Sequence, residues 1–162
     1  MLTSLSRVAS FNHNLLERML ADIPADQFCR QPPGLPNHPA WLVGHLAFVR
    51  VAMLKQLGDA PTEFPEAWLP LFGRNSTPTD ELANYPSKSE LWDVFSRLQQ
   101  MAITRVMALT PEQLEQPHGI ESFRKPLPTL GDLILQMLTA HDGLHVGQLS
   151  DWRRALGYPR LM

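Results

Sequence analysis

Apolar positions in this chain recur at helical spacing in four separate stretches, with prolines standing between them. Leu5, Ala9, Leu16, Met19 and Ile23 share a stripe that predicts a first helix from about Thr3 to Asp22, where Pro24 blocks continuation. A second begins near Asn37-His38-Pro39. Either Asn37 or His38 can cap it, and Pro39 suits the first turn. Its stripe is Trp41, His45, Phe48 and Ala52, and it ends near Gly58. Ser87 or Ser89 opens the third, with Glu90 completing a capping-box signal; its apolar face is Leu91, Phe95, Leu98, Ala102, Val106 and Leu109. The fourth starts at Thr129, with Asp132 three residues on, and runs unbroken to about Leu156. Gly157 supplies a left-handed stop. Its stripe reads Leu130, Ile134, Met137, His141, His145, Gln148 and Trp152.

The connections are less regular. From about Asp59 to Pro86 the chain carries Pro61, Pro65, Pro70, Pro78 and Pro86, and a connection of that length is often functional. Another runs from about Thr110 to Pro128, with Gly119-Ile120-Glu121-Ser122-Phe123 read as a short extended piece. No strand-period stretch is long enough for a sheet. The expected fold is therefore all-α: a four-helix bundle forming one domain over residues 1–162. The connection between the second and third helices can cross the bundle's length, so those two can run parallel, giving an up-down-down-up order.

Composition narrows the partners. The 162 residues are 44% hydrophobic and 19% charged with net charge −2, and no basic run offers a footprint for nucleic acid or an anionic membrane. No stretch approaches the roughly 18 consecutive apolar residues of a membrane helix. Cys29 is the only cysteine, which excludes an internal disulfide and a thiolate-rich metal site. The first residues lack a basic segment followed by a sustained apolar one, so the expected compartment is the cytoplasm.

Candidate chemistry lies in the histidines. His141 and His145 are four apart on one helix and share a face, so two imidazoles can meet one ion. His45 occupies the inward stripe of another helix. Three buried imidazoles leave donors and acceptors needing partners, and a divalent metal satisfies them. His13, at the edge of its stripe, reads as packed or solvated. His38 reads as a helix-start residue, and His118 sits in a proline-flanked loop. Trp41, Trp92 and Trp152 are at core spacing. Gln148 could support the site or only fill a helix crossing. Asp142 stands where a zinc protease carries glutamate but is one methylene short, and can fall outside the core stripe. Nothing beyond its presence argues for Cys29 as a nucleophile.

Two blocks carry a resemblance: Asn37-His38-Pro39-Ala40-Trp41-Leu42-Val43-Gly44-His45-Leu46, and His141-Asp142-Gly143-Leu144-His145-Val146-Gly147-Gln148-Leu149. They resemble the start of the second helix and the last helix of DinB/YfiT-like proteins, over essentially the whole chain in length and helix order. The resemblance implies an up-down-down-up bundle whose His45, His141 and His145 hold nickel, zinc or a similar divalent ion, within a homodimer. Relatives include bacillithiol-dependent S-transferases and a mycothiol-dependent maleylpyruvate isomerase, which points to a thiol cosubstrate or another small molecule. The residues between the paired histidines select no subfamily.

Two functions are compatible with these residues. In the first, a metalloenzyme, three neutral ligands leave the ion a strong Lewis acid, able to activate water for hydrolysis or a thiol for transfer. Trp68, Leu71, Phe72 and Arg74 could then line the entrance, with Arg74 or Arg124 meeting a carboxylate. In the second, the metal staples a non-catalytic dimerising or sensing module. Catalytic residues are not identified by the sequence.

Overall fold

The computed structural model describes residues 2–161. Every element among them is helical: α1 (Leu2–Ala21), α2 (Pro39–Gln56), α3 (Leu69–Phe72), α4 (Lys88–Met107), α5 (Pro111–Leu114), α6 (Glu121–Arg124), α7 (Leu130–Leu135) and α8 (His141–Ala155). A π-helical segment, Gln136–Ala140, joins α7 to α8, and short 3₁₀ turns occupy parts of the connections. Among the described residues no helix is long and apolar enough to cross a membrane.

Local chemistry explains where these helices start and stop. The His38 Nδ1 accepts from the Trp41 backbone N–H at 3.2 Å and caps α2, with Pro39 in the first turn. Ser87 with Glu90 and Thr129 with Asp132 close reciprocal capping boxes at α4 and α7. At the end of α1, Lys88 Nζ donates to the Leu20 carbonyl in the last turn and to the Ile23 carbonyl just past it, at 2.6 and 2.7 Å. Gly157 adopts φ 78° just past α8, where a side chain would be strained.

Packing is centred on α2, nearly all of whose residues are buried, so it is apolar all round rather than striped. It packs along α4 and also touches α3 and α8, while α1 packs against α8 and α4. Each long helix thus has two long neighbours. Leu16, Leu42, Leu46, Phe95, Leu98, Ile134, Leu149 and Trp152 form part of one continuous core.

Two features depart from the sequence expectation. The piece around Ile120–Phe123 is the start of a helical turn, α6, not extended chain; the Phe123 N–H returns to the Ile120 carbonyl at 3.1 Å. The final helix is not uniform. At the π segment Arg50 Nη1 donates to the Met137 carbonyl at 2.9 Å, and Asn12 Nδ2 to the Thr139 carbonyl at 3.1 Å. Those side chains satisfy backbone acceptors that the wider π turn leaves without regular α partners.

Arg50 is the centre of a buried polar network. Fully buried, it pairs with Asp142, itself fully buried, and also donates to Gln99 Oε1. Gln99 in turn reaches the Ala9 carbonyl at 3.5 Å. One guanidinium therefore ties α2 to α4, the π segment and α8. Asp142, expected either near the histidines or outside the core stripe, is spent on this pair.

Candidate metal centre

His45, His141 and His145 converge, each offering a ring nitrogen so that all three ligand atoms lie within 4.8 Å of one another. His45 comes from α2, the other two from the first turns of α8. The His141 and His145 Nε2 atoms are 3.3 Å apart. Two nitrogens bound at about 2.0–2.1 Å to one tetrahedral ion stand about 3.3–3.4 Å apart, so this edge already has the required length.

The surroundings set the tautomers of two rings. His45 Nδ1–H donates to the Phe72 carbonyl at 2.9 Å, leaving its Nε2 lone pair free. Phe72 can come that close because α2 carries Gly44 beside it. A Cβ there would lie 2.3 Å from the Phe72 ring, which is fully buried. His45 is further held flat against Trp41, with ring centroids 4.6 Å apart and planes 8° from parallel. Trp41 is itself tethered through Nε1 to Ser76 Oγ at 2.8 Å.

His145 Nδ1–H donates to Gln148 Oε1 at 2.9 Å, and Asn37 Nδ2 donates to the same oxygen at 3.1 Å. The tautomer follows from this amide orientation. Gln148 is thus an orienting partner of His145, and Asn37, outside α2 and not used as its cap, holds Gln148. His141 differs: its Nδ1 is buried without a partner among the described residues. With protons on the outer nitrogens of the rings, bare Nε2 lone pairs of His141 and His145 face one another. That is repulsive unless a cation or a proton lies between them, and a divalent ion suits the donor set.

Burial keeps the rings neutral, the form a metal needs. Desolvation, reinforced by the neighbouring histidines and by Arg50, lowers the His141 pKa to about 3. Burial, with His45, lowers that of His145 to about 4, and burial lowers His45, opposed by its bond to Phe72. Three neutral imidazoles fit zinc, nickel, copper or iron.

His45 and His141 also form part of the wall of a cavity of about 220 Å³, lined mainly by apolar side chains from α2, the π segment and the α6 region. Arg74 stands among the lining residues. Arg124 is occupied with Glu121 at 2.9 Å, and Trp68 and Leu71 do not line the cavity.

The remaining histidines lie apart from the cluster. His38 caps α2, and His118 bonds the Leu127 carbonyl at 2.7 Å. His13 stacks on Trp92 with centroids 4.7 Å apart. Cys29 is buried and its thiol is pushed up to about 11, the opposite of an activated nucleophile. Trp152 is fully buried in the core and donates to the Arg30 carbonyl at 2.6 Å.

Fold and cluster together define an all-helical protein with three histidines placed where they could share one metal ion. Residues 10–149 match the family model of the DinB superfamily, and the chain belongs to that superfamily. A crystal structure of a conserved protein from Enterococcus faecalis superposes with a TM-score of 0.77 at 19% identity, covering 96% of each chain. At that identity the likeness speaks for the fold. No curated protein matches the sequence.

Proposed function

We propose that the chain is a divalent-metal-binding protein whose ligands are His45, His141 and His145, and that it works as a metalloenzyme. The observation that carries this is the 3.3 Å separation of two imidazole nitrogens whose third partner converges on them. The donor set suits zinc and nickel, the ions the family resemblance suggests. When bound, such an ion supplies Lewis acidity, which lowers the pKa of a water or thiol at neutral pH. The chain's own residues do the rest. Phe72 and Gln148 fix the tautomers of His45 and His145, and the apolar wall excludes water from the side of the cluster that His45 and His141 share with the cavity. A thiol cosubstrate and transfer to an electrophile, or a related hydrolysis, are the reactions the family resemblance suggests. An apolar cavity beside the cluster favours this over a non-catalytic dimerising or sensing module, for which the site would be closed.

The same reading takes the chain as one domain, a four-helix bundle in up-down-down-up order. Hydrogen bonds between elements support it. Gln99 reaches Ala9 while Lys88 reaches Leu20, as expected for α1 and α4 running oppositely. Arg50 meets Gln99 while Arg105 meets the Leu57 carbonyl, as expected for parallel α2 and α4. Asn12 meets Thr139 and Arg153 meets Met19, as expected for parallel first and last helices.

Elemental analysis of untagged protein tests the metal. About one divalent ion per chain, lost in His45→Ala and His141→Ala, is the expected result. A metal-free wild type that also takes up no added nickel or zinc would overturn the assignment.

A further inference from the structure

The cavity beside the histidines has a chemistry of its own. Phe48, Val49, Ala52, Ile120, Phe123 and Met137 make its wall apolar, and His45 and His141 form another part of it. Its one cationic lining residue is Arg74. The guanidinium lies over the Phe123 ring, 5.7 Å from the centroid, and Nη1 donates to Ser122 Oγ at 3.1 Å. Among the described residues no carboxylate lies within ion-pairing distance of it, and Glu121, on the same turn as Ser122, is taken by Arg124. One of five guanidinium donors is used inside the protein, so the others are open to a ligand.

The turn that carries the exposed Arg74 is anchored to the helix bearing His45. Ser76 Oγ donates to the Gly73 carbonyl at 2.8 Å and accepts from Trp41 Nε1 at 2.8 Å, which ties the turn carrying Arg74 to α2. Phe72, two residues earlier, holds His45. The guanidinium and the carbonyl that orients His45 therefore belong to one short segment, and Arg74, His45 and His141 line one cavity. An apolar cavity of about 150 Å³ already accepts benzene. The 220 Å³ here suits one ring with a short substituent.

We propose that this cavity takes a one-ring aryl carboxylate, its ring among Phe48, Ile120 and Phe123, its carboxylate on Arg74, and its other end toward His45 and His141. This deepens the metalloenzyme reading by naming a substrate class, and rests on it only for the chemistry at the histidine end. Planar carboxylate and guanidinium pair in a bidentate fashion, which fixes the ligand's orientation as well as its charge.

Calorimetric titration of the full chain with trans-cinnamate and its neutral amide, each with and without zinc, tests the assignment. Cinnamate is expected to bind at least about tenfold more tightly than the amide, and Arg74→Gln to abolish that preference. Ser122→Ala, which removes the internal bond but keeps the charge, should leave cinnamate affinity within about twofold. Ala52→Phe, filling the cavity, should weaken both ligands about tenfold or more. Cinnamate binding that requires zinc and survives Arg74→Gln would put the carboxylate on the metal and overturn the proposal, as would failure of both ligands to bind with or without zinc. If the chain takes up no zinc, the metal reading falls alone, because the zinc-free titrations still decide the role of Arg74.

Discussion

Replacing Arg50 with methionine tests the network beneath the site. Methionine retains an apolar stem in the space beside Phe95, whose ring centroid lies 5.7 Å from the guanidinium carbon. Three acceptors lose their donor: Asp142, Gln99 Oε1 and the Met137 carbonyl. Stranding the fully buried Asp142 carboxylate costs about 3–5 kcal/mol, and an orphaned carbonyl about 1–3 kcal/mol. Relaxation and protonation of the carboxyl offset part of this, so the expected loss is about 4 kcal/mol near pH 8. That is a large share of the 5–15 kcal/mol typical of a folded domain. At an m-value of about 2 kcal/mol/M the urea midpoint falls by about 2 M.

The pH dependence carries the sign. Burial raises the Asp142 pKa and Arg50 opposes that rise. Without Arg50 the folded-state pKa climbs further above its unfolded value. The carboxyl then contributes most below the unfolded pKa, and that contribution is lost as pH rises through the folded one. The deficit relative to wild type should therefore widen from about pH 5 to about pH 8. Urea titrations followed by circular dichroism measure it, and Arg50→Met with Asp142→Leu should recover most of the loss. A loss under about 1 kcal/mol, or the same deficit at both pH values, would refute the reasoning.

Other predictions concern the site and its supports. Gly44→Ala forces the buried Phe72 ring away and with it the acceptor of His45 Nδ1; metal affinity should fall at least about tenfold in a chelator competition, and thermal stability by about 1–3 kcal/mol. Gln148→Leu removes the orienting acceptor of His145, and the same competition should show affinity about 10–100-fold weaker with all three ligands intact. In metal-free protein, burial lowers the His38 pKa to about 4 while the unfolded chain titrates near 6.5. Since the unfolded state takes up the proton first, stability should be level above about pH 7 and fall between about pH 6.5 and 4; thermal melts should show a shallower fall in His38→Asn, which keeps a capping acceptor at α2.

Much of this was legible in the sequence, because prolines, caps and helical periodicity act locally. The starts near Pro39, Ser87 and Thr129 and the stop at Gly157 follow from side chains within a turn of the boundary. The His141–His145 pair was visible for the same reason, and His45 through its place on an apolar helix. What escaped depends on residues far apart. Arg50 and Asp142 meet across 92 positions, and no local periodicity encodes that pairing. A charge within the apolar run around Leu46–Leu54 was the available signal for a buried partner. Asn37 was read only as a possible cap, and its bond to Gln148 needs two helices docked in register. The π segment left no trace because Met137 and Leu138 are both buried, so the apolar pattern accommodates either pitch.

That π segment gives the last helix two phases. An unbroken α-helix turns about 100° per residue, and a π turn absorbs one residue without advancing the helix by that angle. The face set by the cap at Thr129 and the face bearing His141 are therefore matched by a one-residue surplus between them. Deleting a single residue from Gln136–Ala140 should let the helix run on as α while the two faces keep their relation, whereas deleting one between His141 and His145 would break the four-residue spacing of the pair. Relatives with one residue fewer between the capping threonine and the first histidine of the pair could keep the same cluster on a plain α-helix. In those chains, the Met137 carbonyl's counterpart would be returned to the helix, and an arginine in place of Arg50 would lose that acceptor.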